Sequence, residues 1–238
     1  MSKRPRPWIV PRHDPIQKLE DDLWAVEGDV PGPAGIHRRM VIARRADGRL
    51  VFFNAMPLAD DALAEIRAWG EPGWVVLPNY NHKIDAHAFR ERLGVRLLCA
   101  ASAAGKVGKV VTVDGRLDDL PEDPRVRLAP LGGTRQGETA LVVASASGRT
   151  SVAFGDALMN ILHPGLVTRM LGFGGAPKCP PVFRLAFVRD KRALAGDLAA
   201  LAASPALTRL IPSHGAIVEH DAGSVLSAVV ARDLGGTR

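Results

Sequence analysis

The residues of this chain that could bind a metal ion or move a proton gather in four short segments. Pro78-Asn-Tyr-Asn-His-Lys-Ile-Asp-Ala-His87 offers His82, Asp85 and His87. Leu131-Gly-Gly-Thr-Arg-Gln-Gly-Glu-Thr-Ala-Leu-Val-Val143 is a glycine-rich turn running into an apolar stretch. Val152-Ala-Phe-Gly-Asp-Ala-Leu158 carries Asp156, and Ile211-Pro-Ser-His-Gly215 carries His214. Imidazole and carboxylate groups are the ligands that zinc, iron and manganese take most readily. If a helix begins at His82, then His82 and Asp85 share one face at i and i+3. His87 would then be turned away by roughly 140°.

Competing chemistries lack their signatures. Ser213 precedes His214 but has no G-x-S-x-G elbow around it. Gly132-Gly133 has neither P-loop spacing nor a following Lys-Ser/Thr, and Gly105-Lys-Val-Gly-Lys109 lacks a hydroxyl residue. Cys99 and Cys179 form no CxxC pair; Cys99 lies in an apolar run and Cys179 among prolines, so the first is expected to be buried and the second exposed.

The elements that must position these segments follow from periodicity. Short β-like runs at Leu23–Glu27, Met40–Arg44 and Leu50–Asn54 open the chain, with an Asp47-Gly48 hairpin signal between the last two. Leu58, Ala62, Ile66 and Trp69 then mark one face of a helix, followed by a buried strand at Trp74–Leu77. A loop at Pro78–Ala86, a helix to about Leu93 and a strand at Val95–Cys99 come next. Trp69 and Trp74 flank the turn between helix and strand and are expected to pack the sheet edge. The plan repeats with strands at Val126–Leu131, Thr139–Ala144 and Ser151–Phe154, a helix at Asp190–Ala203, a strand at Leu207–Ile211 and a closing helix at Asp221–Arg232. Between them, 157–186 reads as a long Pro/Gly-rich stretch, with Gly172–Gly175 as a candidate lid. Hairpins followed by βα units, twice over, predict an α/β (α+β) protein of two sheets packed face to face between outer helices.

Length and composition agree. With 238 residues, 47% hydrophobic and 24% charged, the chain suits one domain at 18–238 behind an irregular arm at 1–17. Lys and Arg outnumber Asp and Glu by 31 to 25, and the densest basic knot is Lys3, Arg4 and Arg6. The other arginines are scattered and no aromatic stripe accompanies them, so nucleic-acid binding is unsupported. His13, His37, His163 and His220 are isolated. Nothing resembles a secretory signal or a membrane span, and a reduced cytoplasmic protein is expected. A homo-oligomer is compatible with the sequence.

The four segments, in this order, resemble the metallo-β-lactamase superfamily, whose members carry T-H-x-H-x-D-H, then a single His, a Gly-Asp turn and a final His. The resemblance covers about residues 20–235 and implies a four-layer αββα sandwich. Gly155-Asp156 and Ser213-His214-Gly215 match the last two motifs. Anchored on the strand end, Asn79 and Asn81 stand where the first two His ligands belong, and Lys83 and Ile84 where Asp-His belongs. Gly133, followed by Thr134, replaces the third His. A complete dinuclear centre is therefore not encoded. The run Leu77-Pro-Asn-Tyr-Asn-His82 is similar to an L-P-N-x-x-H variant found in some relatives.

Two readings follow. In one, His82, Asp156 and His214, with Asp85 as a fourth or supporting ligand, hold one divalent ion (Zn, Fe or Mn) for an atypical hydrolase of an ester, amide, lactone or phosphate. In the other there is no metal: Lys83 neutralises Asp156 as a catalytic or structural cation, and the cleft around Asn79, Asn81, Gly133 and Thr134 binds a small molecule or partner without catalysis.

Overall fold

The computed structural model describes residues 6–31, 37–170 and 172–235, apart from the side chains of Val167 and Thr168. Lys3 and Arg4 of the basic knot lie outside the described residues. The described part of the arm is held to the domain. Trp8 donates from Nε1 to Leu58 O at 3.2 Å and stacks on Phe89 with 5.4 Å between centroids.

Strands β1 (Gln17–Glu20), β2 (Leu23–Asp29), β3 (His37–Arg44) and β4 (Arg49–Phe53) pair antiparallel in succession. Gly48, at φ 83, supplies the left-handed residue of the β3–β4 turn. The connections then become crossovers. Helix α1 (Asp60–Trp69) leads to β5 (Glu71–Val76), α2 (Ala86–Leu93) to β6 (Arg96–Cys99), and α3 (Ala101–Val107) to β7 (Gly115–Arg116). Each new strand lies parallel to the last, giving a seven-stranded sheet in chain order.

The second sheet is built from β8 (Val126–Pro130), β9 (Thr139–Ala144) and β10 (Thr150–Phe154), which form a meander. After α4 (Leu166–Met170), α5 (Pro181–Phe187) and α6 (Lys191–Ala202), strand β11 (Leu207–Pro212) joins β10 in parallel. Helix α7 (Ala222–Val229) and a π-helical turn at Val230–Leu234 close the domain.

Alternation along the strands explains the layers. On β3 and β4, Val41, Ala43, Val51 and Phe53 face the other sheet, where they meet Leu141, Val143, Ala153 and Ile211. Met40, Ile42, Leu50 and Phe52 point outward and are covered by Ile66 and Phe89 of the helices. Across the second sheet, Val142, Phe154 and Leu210 pack under Leu194, Leu198 and Leu226. Both faces are buried, so these strands read as continuous apolar runs. Truncating one such side chain, Phe154 for example, to Ala costs about 3–5 kcal/mol.

Several expectations need correction. Cys179 is buried, because β-bridges from Met159 to Lys178 and from Ile161 to Gly174 fold its loop back on the sheet, and its N–H bonds Asp233 Oδ2 at 2.9 Å. The same bridges give 157–186 more order than a structureless loop. Helix α3 falls where no helix was read, its Gly105 and short Ala-rich repeat masking the periodicity. Trp74 is 1% exposed and belongs to the core between the sheets, whereas Trp69 stacks on Trp24 with 3.9 Å between centroids. Helix α2 begins at Ala86, as the loop before it requires, so the condition of a helix starting at His82 is not met. A separate 3-10 turn, Tyr80–His82, precedes it, with Asn79 Oδ1 accepting from Asn81 N at 2.8 Å. His82 and Asp85 therefore share no helical face.

Parallel strands end together. Asn54 follows β4, Asn79–His82 follow β5, Asp156 follows β10 and His214 follows β11. The two sheets are tied at this edge by Thr139 N to Pro78 O at 2.8 Å and Arg39 N to Ser213 O at 2.8 Å, while Ser213 N to Phe154 O at 3.0 Å extends the pairing of β10 with β11. Residues distant in sequence thus reach one point from rigid strand ends.

Candidate metal centre

At that edge His82, Asp156 and His214 each present one ligand atom, all within 4.8 Å of one another. His82 Nε2 is 3.1 Å and His214 Nε2 3.7 Å from Asp156 Oδ1. The side chains are 8%, 15% and 15% exposed, so the cluster is shielded but open at one side.

The other ring nitrogen of each His is anchored. His214 Nδ1 lies 2.6 Å from His37 O, which can only accept, so Nδ1 carries the proton. His82 Nδ1 lies 2.7 Å from Asn54 Oδ1. The Asn54 amide cannot turn round, because its Nδ2 already donates to Arg39 O at 2.8 Å and Ser213 Oγ at 3.2 Å. Both imidazoles thus keep Nε2 toward Asp156, the tautomer that a metal-binding His adopts when its second nitrogen is held by an acceptor.

Charge and burial oppose each other here. Burial favours a neutral His82, but the charge and hydrogen bond of Asp156, with a contribution from Glu138, outweigh it and raise the imidazole pKa. Burial also lowers His214, and the attraction of Asp156 only partly offsets this. For Asp156, desolvation pushes the pKa up, yet His82, His214 and the Asn79 amide overcome it and hold the carboxylate well below its ordinary range. The cluster is built around an ionised Asp156.

The position of the missing imidazoles is not vacant. Asn79 Nδ2 donates to Glu138 Oε2 at 2.7 Å and to Asp156 Oδ2 at 3.0 Å. Gln136 Nε2 donates to Glu138 Oε2 at 2.9 Å, and its Oε1 accepts from Asn81 Nδ2 at 2.8 Å. Glu138 Oε1 accepts from Ala157 N at 2.9 Å. Glu138 is 1% exposed, and burial followed by repulsion from Asp156 raises its pKa. Amide-to-carboxylate bonds occupy this pocket.

Gly133 explains why no third His stands there. Its φ is +69, and a Cβ would fall 2.1 Å from Asp190 O. Its own carbonyl accepts from Arg189 N at 2.7 Å and Asp190 N at 3.1 Å, sewing the turn to the start of α6. Thr134 is part of that turn, its Oγ1 donating to Leu131 O at 3.0 Å and accepting from Glu138 N at 3.1 Å. Gly155 is required beside Asp156 because a Cβ would meet Glu138 Oε1 at 2.6 Å and Pro78 Cβ at 2.7 Å.

Two sequence candidates lie elsewhere. Lys83 is not a partner of Asp156; its Nζ donates to Tyr80 O at 2.6 Å. Asp85 is fully buried against Arg38, with Arg6 Nε 3.5 Å from its Oδ1, and stands outside the cluster. In the other direction, Asn54, Gln136 and Glu138 escaped sequence reading. The last two left a trace as polar residues at the entrance of an otherwise apolar strand, while Asn54 simply ended one.

Two imidazoles and a carboxylate, with tautomers fixed, form a donor set that fits one mid-row divalent ion. No protein-family model matches the sequence, and no curated protein does. Solved structures do match. A metallo-β-lactamase from Pontibacter korlensis superposes with a TM-score of 0.64 at 12% identity, over 93% of this chain and 100% of that one. The mono-zinc form of FIM-1 from Pseudomonas aeruginosa gives 0.60 at 12%, over 98% and 99%. A metallo-β-lactamase from Hirschia baltica gives 0.58 at 16%, over 91% and 98%. The chain has the metallo-β-lactamase fold. Among the described residues no helix is long and apolar enough to cross a membrane.

Proposed function

We propose that this protein is a hydrolase-type enzyme working with a single divalent ion, Zn, Fe or Mn, held by His82, Asp156 and His214. The observation that carries this reading is the paired anchoring of the two imidazoles, with Nδ1 bonded to Asn54 Oδ1 and His37 O and both Nε2 atoms turned to one carboxylate oxygen. A buried ion pair alone does not need both tautomers set in this way.

When bound, such an ion supplies Lewis acidity toward a carbonyl or phosphoryl oxygen and makes water acidic enough to attack near neutral pH. The chain's own residues do the rest. Asp156 provides the permanent negative charge, while Asn79 and Gln136 hold its second oxygen and keep Glu138 from approaching as a rival ligand. Asn54, locked to Ser213, fixes the approach of His82 and links the two sheets at the reacting edge. Substrates of the ester, amide, lactone or phosphate class fit this chemistry.

A second reading rests on the same amide network. Because Asn79, Gln136 and Glu138 satisfy one another, the cleft is stable without any ion, as a ligand-binding site with no hydrolytic step requires. Elemental analysis separates the two, using full-length protein purified without a chelating tag and supplied with Zn, Fe and Mn. One ion per chain, lost in Asp156→Ala, is expected; its absence from the wild-type protein after all three supplements would leave the binding protein.

A further inference from the structure

Lys83 and Lys106 converge on one aromatic ring, and among the described residues neither of them is paired with a carboxylate. Lys106 Nζ lies 3.8 Å from the Tyr80 ring centroid, and Lys83 Nζ lies 5.7 Å from it. Each gains from the ring's negative face, but two like charges brought together repel. An ammonium has three donors; of these Lys83 uses one on Tyr80 O.

The surroundings are one-sided in charge. Segments 78–84, 100–113 and 130–137 carry Lys83, Lys106, Lys109 and Arg135 and contain no Asp or Glu. The carboxylates that border them are engaged elsewhere: Asp85 is buried against Arg38, Glu138 against Asn79 and Gln136, and Asp114 is paired with Arg90. These segments also touch one another. Tyr80 N donates to Gln136 O at 3.1 Å, and a Cβ on Gly137 would lie 2.8 Å from Ala100 Cβ and Ser102 Oγ. These segments reach the cluster through Gln136, whose Nε2 lies 3.5 Å from Asp156 Oδ2.

We propose that Lys83 and Lys106 form an anion subsite, floored by Tyr80, for a carboxylate or phosphate group on the molecule acted on at His82, Asp156 and His214. Its place beside a reacting centre rests on the function proposed above; the anion binding itself does not. Two ammonium groups sharing one oxyanion convert their mutual repulsion into attraction, which accounts for a cationic pair that no carboxylate among the described residues neutralises.

Tyr80 is the only tyrosine in the chain, so fluorotyrosine labelling of the full-length protein yields a single resonance that reports on this spot. Phenyl phosphate and benzoate, titrated separately at constant ionic strength against chloride, share a ring and differ in headgroup. A saturable displacement of the Tyr80 signal by either is expected, and the stronger arm names the headgroup. The apparent Kd should rise about tenfold or more in Lys106→Met, whose exposed side chain makes folding a minor concern, and further in Lys83→Met/Lys106→Met. No saturable shift beyond that of chloride overturns the subsite, as does an unchanged Kd in a Lys106→Met protein with the wild-type melting midpoint. Metal content is measured on the same samples. A Tyr80 response in protein that binds no metal upholds the subsite and rejects the metal reading; bound metal with a silent Tyr80 rejects the subsite alone.

Discussion

His82 donates from Nδ1 to the side-chain oxygen of Asn54 across 2.7 Å, and Asn54 is in turn fixed to Ser213 Oγ at 3.2 Å. One amide thereby couples the end of β4, the turn after β5 and the end of β11. Asn54 sits at φ 61, a conformation Asn tolerates better than most residues and glycine adopts freely. Asn54→Gly should therefore keep the fold while freeing His82 to rotate. Metal affinity is expected to fall about 10–100-fold, measured by competition with a chromophoric chelator. Equal affinities for the two proteins would show that Asn54 does not set the tautomer.

Placing an imidazole at position 133 should fail. Gly133→His places a Cβ on top of Asp190 O and forces a side chain into a φ of +69. Gly133→Ala meets the same obstacle, so both variants should lose about 2 kcal/mol or more in denaturant unfolding. Neither should hold a second ion, because Asn79 and Gln136 still fill that position. A Gly133→His protein as stable as wild type, carrying two ions, would overturn this account of the missing ligand.

These outcomes show what the sequence could and could not reveal. Fold and layering were legible because Val41/Met40 and Val51/Phe52 alternate between two buried faces, and because Gly155-Asp156 and Ser213-His214-Gly215 are short motifs whose geometry is local. The first motif was harder. Its alignment set Lys83 beside Asp156, but a 3-10 turn rotates successive residues by about 120°, so the neighbour of an inward-pointing His82 faces elsewhere. Glu138 and Asn54 were illegible for another reason: their roles exist only through hydrogen bonds to residues far away in sequence.

Acid stability should carry a signature of the Asp114–Arg90 pair, which pins α2, the helix after the site loop, to β6. Arg90 Nε and a second guanidinium nitrogen donate to the two Asp114 oxygens at 2.8 and 2.7 Å, and Leu97 N donates to Oδ2 at 2.8 Å. The hydrogen bonds from Arg90, then that from Leu97, overcome modest burial and depress the carboxyl pKa. A depressed acid stabilises the fold above its unfolded pKa of about 3.9, and this contribution disappears as pH falls through the folded value. Asp114→Asn should be less stable than wild type at pH 7, and the gap should close as pH falls through the depressed folded value. A gap constant with pH, in parallel urea melts, would assign the effect to packing instead.

Asp85 and Asp156 should respond in opposite ways to loss of charge. The Asp85 side chain has no exposure and faces the Arg38 guanidinium, itself 4% exposed. Removing one member of such a pair leaves an uncompensated buried charge, at a cost of about 3–5 kcal/mol. Asp85→Ala should therefore unfold at a markedly lower temperature or urea concentration, yet the folded fraction should still take up metal, because Asp85 stands outside the cluster. Asp156→Ala removes the ligand that both histidines face and should abolish uptake. Its effect on stability should be smaller, since His82 can lose its proton and become neutral, an escape that arginine does not have. The decisive measurement pairs unfolding curves with metal content for the two variants. Loss of metal in folded Asp85→Ala would return Asp85 to the ligand set and displace Arg38 as its reason for being there.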